Sequence, residues 1–593
     1  MSTAFELKHT LPRELSLYDP RQPERDNSQV HISYDERRRM ALDEVDDASF
    51  SIFHVKACLV AGIGFFTCAY DIFAIGIAET MIALVYGSSA PDYRGQLLWS
   101  QELALKVSTQ IGIFFGQLSF GWLADAVGRK KMYGFELIIV IIGTLAQACA
   151  GEGRAVNIIA LLSVWRFCMG IGIGADYPLS SVITSEFSPK KARGRMMTAV
   201  FAMQGFGNFA AALVALIVTV SFKDQLIGGS NLEDPYRLES IDRCWRLLIG
   251  LGAVPGCIAL YCRLTIPETP RFTMDVERNV EQAVQDVDTF LTTGTYNVDP
   301  DAVIRRASAP KASWANFKHY FGQWRNLKLL FGMSYAWFAL DIPFYTLGLN
   351  SLGVLKPLGI MQKRCMNYNT LQAYTIMRDA AKSKLILAAG GLIPGYWATF
   401  FFIDSWGRKP IQIMGFTVLT VIFVVMGGAW KLLHASTSGL NVLFFLYCMA
   451  NFFQNFGPNT TTFIIPGEAF PTRYRATAHG ICAAIGKLGA IISQIAFSAL
   501  NERYEGKLQG DGCDVNDPDG FVRYMVFVFA FFTLTGAAAT LLIDETKGRT
   551  LEEISNERQE GFLSGGAGPL ELSCESDAQE ITESYQRIPA NRA

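Results

Sequence analysis

The sequence predicts an all-α membrane protein whose twelve transmembrane helices form two pseudo-symmetric six-helix bundles, and three observations point to it. Half of the 593 residues are hydrophobic and only 18% are charged, with 42 phenylalanines, too apolar for an ordinary soluble enzyme of this length. About twelve runs approach the ~20 apolar residues that cross a bilayer as a helix. Three short motifs that mix acids and bases recur in the same order in both halves at nearly one spacing.

The runs fall at residues 55–86, 105–124, 132–150, 157–184, 196–221, 244–264, 326–350, 384–403, 411–432, 441–466, 477–500 and 521–543. The first and several others are long enough to require tilt or kinks. A polar, charged amino-terminal stretch precedes the first run, so no cleavable signal peptide is expected and that run should act as an uncleaved anchor. Basic residues recur in every second connection: Arg129, Lys130 and Lys131; Lys190, Lys191, Arg193 and Arg195; Arg408 and Lys409; Arg473 and Arg475. With "DERRRM" in the amino-terminal tail, they place these connections and both termini in the cytoplasm; Lys363 and Arg364 show that the bias is not absolute.

The expected organisation is a cytoplasmic tail (1–54), a first bundle (55–265), a cytoplasmic linker (266–325), a second bundle (326–543) and a cytoplasmic tail (544–593). The linker stretch "VERNVEQAVQDVDTFL" reads as helical and solvated, and "LEEISNERQEGFL" as a short helix followed by disorder. Most of the twelve cysteines lie in apolar runs and none has zinc or C-x-x-C spacing, so they read as small buried hydrophobes. Cys244, Cys365 and Cys513 fall at or near outer loops, which leaves one external pair open. Walker loops, H-E-x-x-H and nucleophile elbows are absent, and the intramembrane acids have no catalytic partner set. No enzyme, metal, cofactor or nucleic-acid partner is therefore expected; the partner is the lipid bilayer, and the sequence carries no indication of oligomeric state. The "GIGIG" of the fourth run suits close helix packing, since no strand precedes it.

"LADAVGRKK" is answered by "FIDSWGRKP", "SEFSPKKARGR" by "GEAFPTRYRAT", and "IPETPR" by "IDETKGR". Asp125 and Asp404 are 279 residues apart, Glu186 and Glu468 282, and Glu268 and Glu545 277, as a duplicated six-helix unit requires. Acids at helix ends beside Gly-Arg-Lys can form ion pairs across the halves and hold one conformation closed. The expected gate comprises Asp125, Arg129, Glu186, Arg195, Glu268, Arg271, Asp404, Arg408, Glu468, Arg473 and Glu545.

A charge at mid-bilayer costs about 3 kcal/mol on insertion scales and calls for a partner or a function. The candidates are Asp71, Glu79, Glu136, Arg166, Asp176, Asp341 and Lys487; Glu79, Glu136 and Arg166 read as structural or paired. Trp337, Asp341 and Tyr345 recur every four residues, hence on one helical stripe facing one cavity. Pro343 between them lacks an N–H, a defect tolerated where backbone lines protein or water. The repeat offset carries Asp176 and Tyr177 onto Gly457 and Pro458, beside Asn459, and Gln204 to within two residues of Lys487. Polar residues of both halves thus meet at one depth.

D-x-x-G-R-K, P-E-T-P-R, P-T-R-Y-R-A and the two-bundle plan resemble the major facilitator superfamily over almost the whole helical region. Within it, "GIGIGADYPLSSVITSE", "WFALDIPFYTLGLN", "GLIPGYWATFFFIDSWGRKPIQIMGF" and "FFQNFGPNTTTFIIPGEAFPTRYRATAHGI" resemble the fungal and plant inorganic phosphate:proton symporters. The nearest rival, a sugar porter, would be expected to carry a glutamine pair in the seventh span, and none is present. The resemblance implies plasma-membrane symport of inorganic phosphate with protons by alternating access. It implies phosphate contacts at Tyr177, Gln204, Trp337, Asp341, Tyr345 and Asn459, with Lys487 nearby. The hydroxyl, amide and indole donors and the lysine suit a small oxyanion.

Asp341 is the odd member. An ionised carboxylate ~4 Å from a bound anion repels it by roughly 4 kcal/mol at an effective dielectric near 20. Asp341 should therefore carry a proton while phosphate is bound, which makes the two bindings depend on each other. Asp176 is the expected second proton carrier, and Asp71 a third on the first span. There the chain departs from the family's F-T-D-x-Y-D: it reads "FFTCAYD", so Cys68 replaces one acid. Two other readings share these residues: a carrier of an organic phosphate such as a glycerophosphodiester, and a phosphate-sensing receptor with little transport.

Overall fold

The structure is a computed structural model that describes residues 34–87, 97–227, 235–264, 268–276, 313–351, 370–508 and 521–556. Apolar runs become helices because, in hydrocarbon, every backbone N–H and C=O must be satisfied within the segment. The passages of the first half are Ile52–Tyr86, Trp99–Val127, Arg129–Ala148, Ile158–Phe187, Arg193–Ser221 and the pair Pro235–Gly250 with Ala253–Leu264. Those of the second half are Trp324–Leu349, the pair Thr370–Leu387 with Ile393–Trp406, Arg408–Gly428, the pair Thr437–Asn455 with Pro458–Ala469, Arg475–Leu508 and Phe521–Thr540. These are spans one to twelve.

Among the described residues, nine helices are long and apolar enough to cross a membrane. Spans two, seven and ten are less apolar because each carries polar side chains that the fold buries: Lys106 and Gln117, Trp337 and Asp341, Asn451, Asn455 and Asn459. Span one has 35 residues, about 52 Å at 1.5 Å per residue, and must tilt to lie within ~30 Å of hydrocarbon. Trp122, Phe331, Phe401, Phe531 and Leu541 are exposed around the outside, as a lipid-facing belt requires.

Three spans are interrupted, each for a local reason. Span six breaks at Gly252, where a Cβ would lie 2.2 Å from the Asp71 carboxylate. A π-turn at Ala388–Leu392 precedes Pro394 in span eight, where the proline supplies no N–H to the ladder. In span ten Gly457 precedes Pro458 at the first position of a new helix, a position proline favours.

Spans two and eleven lie along each other, as do five and eight. The repeat maps one pair onto the other, so the two bundles meet across these four helices. The glycines of "GIGIG" do serve close packing: a Cβ on Gly170, Gly172 or Gly174 would lie 2.4, 2.6 or 2.3 Å from the carbonyls of Thr109, Glu136 and Ile113. Spans two and three therefore press directly on span four.

The amino-terminal helix Tyr34–Asp47 is built into the first bundle at the end that holds the Gly-Arg-Lys connections, the basic end. Arg38 donates to Asp275 at 2.6 Å, and Ala41, Leu42 and Val45 bury themselves against Met274. Cys244 is a buried free thiol. Cys365, Cys513, Lys363, Arg364, the linker stretch from Glu277 and the tail after Asn556 lie outside the described residues.

Replacing Gly174 by valine should force spans two and four apart. Overpacking of this kind costs about 1–3 kcal/mol, so the thermal unfolding temperature in detergent should fall while a Gly390→Ala control, with open space around its Cα, leaves it unchanged.

Candidate functional site

Asp341 in span seven and Lys487 in span eleven form an ion pair of 2.6 Å. The four-residue stripe turns towards it. Lys487 Nζ lies 4.4 Å from the centroid of the Tyr345 ring and 5.3 Å from that of Tyr177, and the Tyr177 and Trp337 rings are 6.5 Å apart. From the first bundle, Gln204 donates to the Tyr177 hydroxyl at 3.1 Å and accepts from Tyr396 at 2.8 Å. Asn459 donates to that same Tyr396 hydroxyl at 2.9 Å. All seven sequence-derived residues thus converge where the bundles meet, each no more than 3% exposed. Tyr396 was missed. It lies 279 residues after Gln117, the Asp125–Asp404 offset, and that match to a polar residue of span two was the available signal.

Aromatic side chains close the chamber on two sides. Towards the basic end, Phe201 stacks on Phe463 at 4.4 Å, with Phe65 edge-on to both. Towards the far end, Phe73 stacks on Tyr345 at 6.3 Å and meets Phe344 at 6.2 Å. The result is a buried polar site that offers O–H, amide and ammonium donors. Its one cation is held by its own counter-ion.

Asp176 lies elsewhere. Consecutive residues point ~100° apart on a helix, so Tyr177 faces the chamber while Asp176 turns into the first bundle. There Asp176 takes Arg263 at 2.8 Å, Ser180 at 2.7 Å and the Cys68 thiol at 3.6 Å. Arg263 also pairs with Glu136. Arg263 was missed because it stands one residue from the end of its helix, where a basic residue reads as an interfacial flank. Cys68, in place of an acid, leaves this arginine with two carboxylates. Asp71 accepts from Thr144 at 2.8 Å, again within the first bundle. Glu79 pairs with Lys106 at 3.1 Å, and Arg166 donates to the Leu105 carbonyl at 2.7 Å, so Glu79, Glu136 and Arg166 are all partnered.

The basic end is bolted across the halves. Asp125 accepts from the Thr477 backbone N–H and hydroxyl, both at 2.7 Å, and from Ala476 N–H at 3.3 Å. It thereby caps span eleven of the other bundle. Asp404 does the same for span five, accepting from Arg195 N–H at 2.9 Å; the Arg195 guanidinium is half-exposed and 4.0 Å away. Glu186 holds Arg475 of the opposite half at 2.8 Å and Arg129 of its own at 3.4 Å. Arg129 in turn donates to the Thr472 carbonyl at 2.6 Å. In the second half Glu468 holds Arg408 at 2.8 Å, and Arg408 also holds Asp404 at 3.0 Å.

Several gate expectations need correction. Glu268 accepts from Lys130 N–H at 3.1 Å, and Glu545 from Lys409 N–H at 2.9 Å. They cap spans three and nine within their own bundles, because exposed helix-end N–H groups outcompete a distant arginine. Arg473 lies over the Tyr474 ring at 5.1 Å, and the pairing with Glu186 falls to Arg475. Arg193, the repeat of Arg475, donates to Asp46 of the amino-terminal helix at 2.6 Å. Arg271 joins that group, 3.0 Å from Asp46 and 2.9 Å from Glu552 of the short helix Leu551–Ile554. Burial pushes the Glu552 carboxyl up, but Arg271 and then Arg475 outweigh it and hold it down at about 2.

Residues 57–557 match the family described as Sugar (and other) transporter. The chain is 44% identical over 582 residues to the repressible high-affinity phosphate permease of Neurospora crassa, with 96% of each covered. It is 44% identical over 535 residues to the inorganic phosphate transporter PHO84 of Saccharomyces cerevisiae, covering 88% of this chain and 87% of that one. Inorganic phosphate transporter 1-2 of Oryza sativa subsp. japonica is 37% identical over 529 residues, with 87% and 96% covered. Among solved structures, the major facilitator superfamily proton:xylose symporter XylE bound to 6-bromo-6-deoxy-D-glucose superposes with a TM-score of 0.60 at 18% identity, covering 86% of this chain and 99% of that one. That likeness bears out the expected fold class.

Breaking one side of a buried ion pair leaves an uncompensated charge, at about 3–5 kcal/mol. Lys487→Met should therefore lower the thermal unfolding temperature well below that of the double variant Asp341→Asn/Lys487→Met. At the gate, a carboxyl held at about 2 when folded, against ~4.3 in an unfolded chain, contributes stability that is fully present above the unfolded value and lost as pH falls towards the folded one. The stability gap between wild type and Glu552→Gln should hold constant from neutral pH to about 5 and shrink below ~4.

Proposed function

This chain belongs to the Sugar (and other) transporter family, whose members are carriers and not enzymes, and on that premise we propose that it brings inorganic phosphate into the cell together with protons. The observation that carries the reading is the buried Asp341–Lys487 pair inside a shell of neutral donors. With Asp341 ionised, Lys487 is already neutralised and an incoming anion meets a carboxylate. A proton on Asp341 releases the ammonium and leaves an O–H that can donate. Phosphate then binds to Lys487, Tyr177, Tyr345, Gln204, Asn459 and Trp337, with Tyr396 steering the two amides.

The relatives' names as phosphate permeases and transporters support the cargo, the basic loops support a cytoplasmic basic end with both termini inside, and the resemblance to the phosphate symporters implies the plasma membrane. The bundles 55–265 and 326–543 are the units that rock. Release requires the Asp125, Asp404 and Glu186 contacts across the halves to part, opening the chamber to the cytoplasm, where loss of the Asp341 proton restores repulsion and expels the anion. Asp176 with Glu136, and Asp71, are the further acids along which protons can pass; with Cys68 in place of an acid, that route relies on Asp176.

Purified protein in liposomes should accumulate labelled phosphate against its gradient only when the exterior is more acidic. Asp341→Asn should lower that uphill uptake by about a thousandfold, given the roughly three pK units of coupling that a charge near 4 Å provides. Undiminished accumulation by the variant would reject the proton role, and failure of wild type to take up phosphate at any gradient would reject the cargo.

A further inference from the structure

Beyond the aromatic wall of Phe73 and Tyr345 lies a second buried lysine that the chamber does not use. Lys384, in span eight, is 4% exposed. Its ammonium reaches the Phe73 carbonyl at 3.5 Å, and among the described residues no carboxylate lies within ion-pairing distance. Gly76 opposite makes room for it, since a Cβ there would lie 2.4 Å from Nζ. Lys106 and Glu79 act on it only through space; Glu79 is taken by Lys106, which also holds Glu102 and donates to Asn350 at 3.0 Å.

Lys384 borders a pocket between the bundles, lined also by Asn208, Ser351 and Asn451, with Phe73 and Phe344 as its floor. The Ser351 hydroxyl is buried and has no hydrogen-bond partner among the described residues. A cation with one weak carbonyl contact, an unpartnered hydroxyl and two amide side chains bring several hydrogen-bond donors to one pocket. A buried ammonium in this position favours an anion, and amide and hydroxyl donors favour one with several oxygens.

The wall itself links this pocket to the chamber. Lys487 lies 4.4 Å from the Tyr345 ring, Tyr345 stacks on Phe73, and Lys384 holds the Phe73 carbonyl. One lysine therefore touches the Tyr345 ring and the other the backbone of its stacking partner Phe73.

We propose that Lys384, with Ser351, Asn208 and Asn451, forms an outer subsite for a small oxyanion, where incoming phosphate waits before the Phe73–Tyr345 wall opens to the chamber. This rests on the reading of the chain as a phosphate carrier for its cargo, and on the far end being external. The subsite raises the local anion concentration and the rate of productive encounter, as a charge at the base of a cleft does, without adding to the affinity of the chamber.

The test compares initial phosphate uptake by the full chain in liposomes for wild type, Lys384→Gln and Lys384→Arg. Lys384→Gln should raise KM roughly tenfold, with the loss falling on KM and not on the maximal rate, and Lys384→Arg should recover most of it. An unchanged KM in Lys384→Gln overturns the subsite, as does an equal loss of maximal rate and thermal stability in both variants, which marks Lys384 as a structural tie to Phe73. A second arm is independent of transport. In a Gln204→Ala/Asn459→Ala background, titration of the detergent-purified protein with inorganic phosphate should retain a weak component that Lys384→Gln removes. Absence of that component overturns the subsite, whereas a wild type that binds there yet moves no phosphate overturns only the carrier reading.

Discussion

A charge withdrawn from water must meet its opposite, and the Asp341–Lys487 pair is where this fold meets that demand at its centre. Both partners belong to the second bundle, on spans seven and eleven. The neutral donors Tyr177 and Gln204 belong to the first, and Tyr396 and Asn459 of the second bundle reach across to Gln204 through one hydroxyl. The charged part of the site is thus complete within one half, while its hydrogen-bonding shell exists only when the halves touch. Rocking of the bundles would dismantle the shell without separating the pair, so cargo could be released while the protein keeps its buried charges matched.

The basic end is built on a different constraint. Asp125 and Asp404 bind backbone N–H groups at the start of a helix in the opposite bundle, where orphan donors and the helix dipole favour a carboxylate. Such contacts are directional, and a small rotation of either bundle would break both caps together. Symmetry is incomplete there. Arg475 reaches across to Glu186, but its repeat Arg193 is held by Asp46 of the amino-terminal helix. With Arg271 shared between Asp46 and Glu552, segments before span one and after span twelve meet at one guanidinium. The tails are therefore part of the contact network that ties the two halves together at the basic end.

Buried charge also explains how the first bundle differs from the second. Arg263 gathers Glu136 and Asp176, and Cys68 touches that group where an acid would place a third carboxylate on one guanidinium. Glycines make these approaches possible: Gly64 lies so near Arg263 that a Cβ would fall 1.5 Å from its terminal nitrogen. Among the described residues the second bundle has no counterpart of this cluster at the same depth, because the repeat offset carries Asp176 onto Gly457, where span ten breaks.

Hydropathy and the repeat spacing were legible in the chain because a helix in lipid must satisfy its own backbone and because duplication preserves offsets. They determined the twelve passages, the two halves, the stripe of Trp337, Asp341 and Tyr345, and the depth at which Tyr177, Gln204, Asn459 and Lys487 meet. What they leave open is which partner each polar group takes. Lys487 as the partner of Asp341, Arg263 as that of Asp176, Tyr396 as the bridge, and the backbone caps made by Glu268 and Glu545 were decided only by the tertiary structure. The reason is geometric: periodicity records which way a side chain points around its own helix, whereas an ion pair depends on the tilt, rotation and register of a second helix far away in the chain.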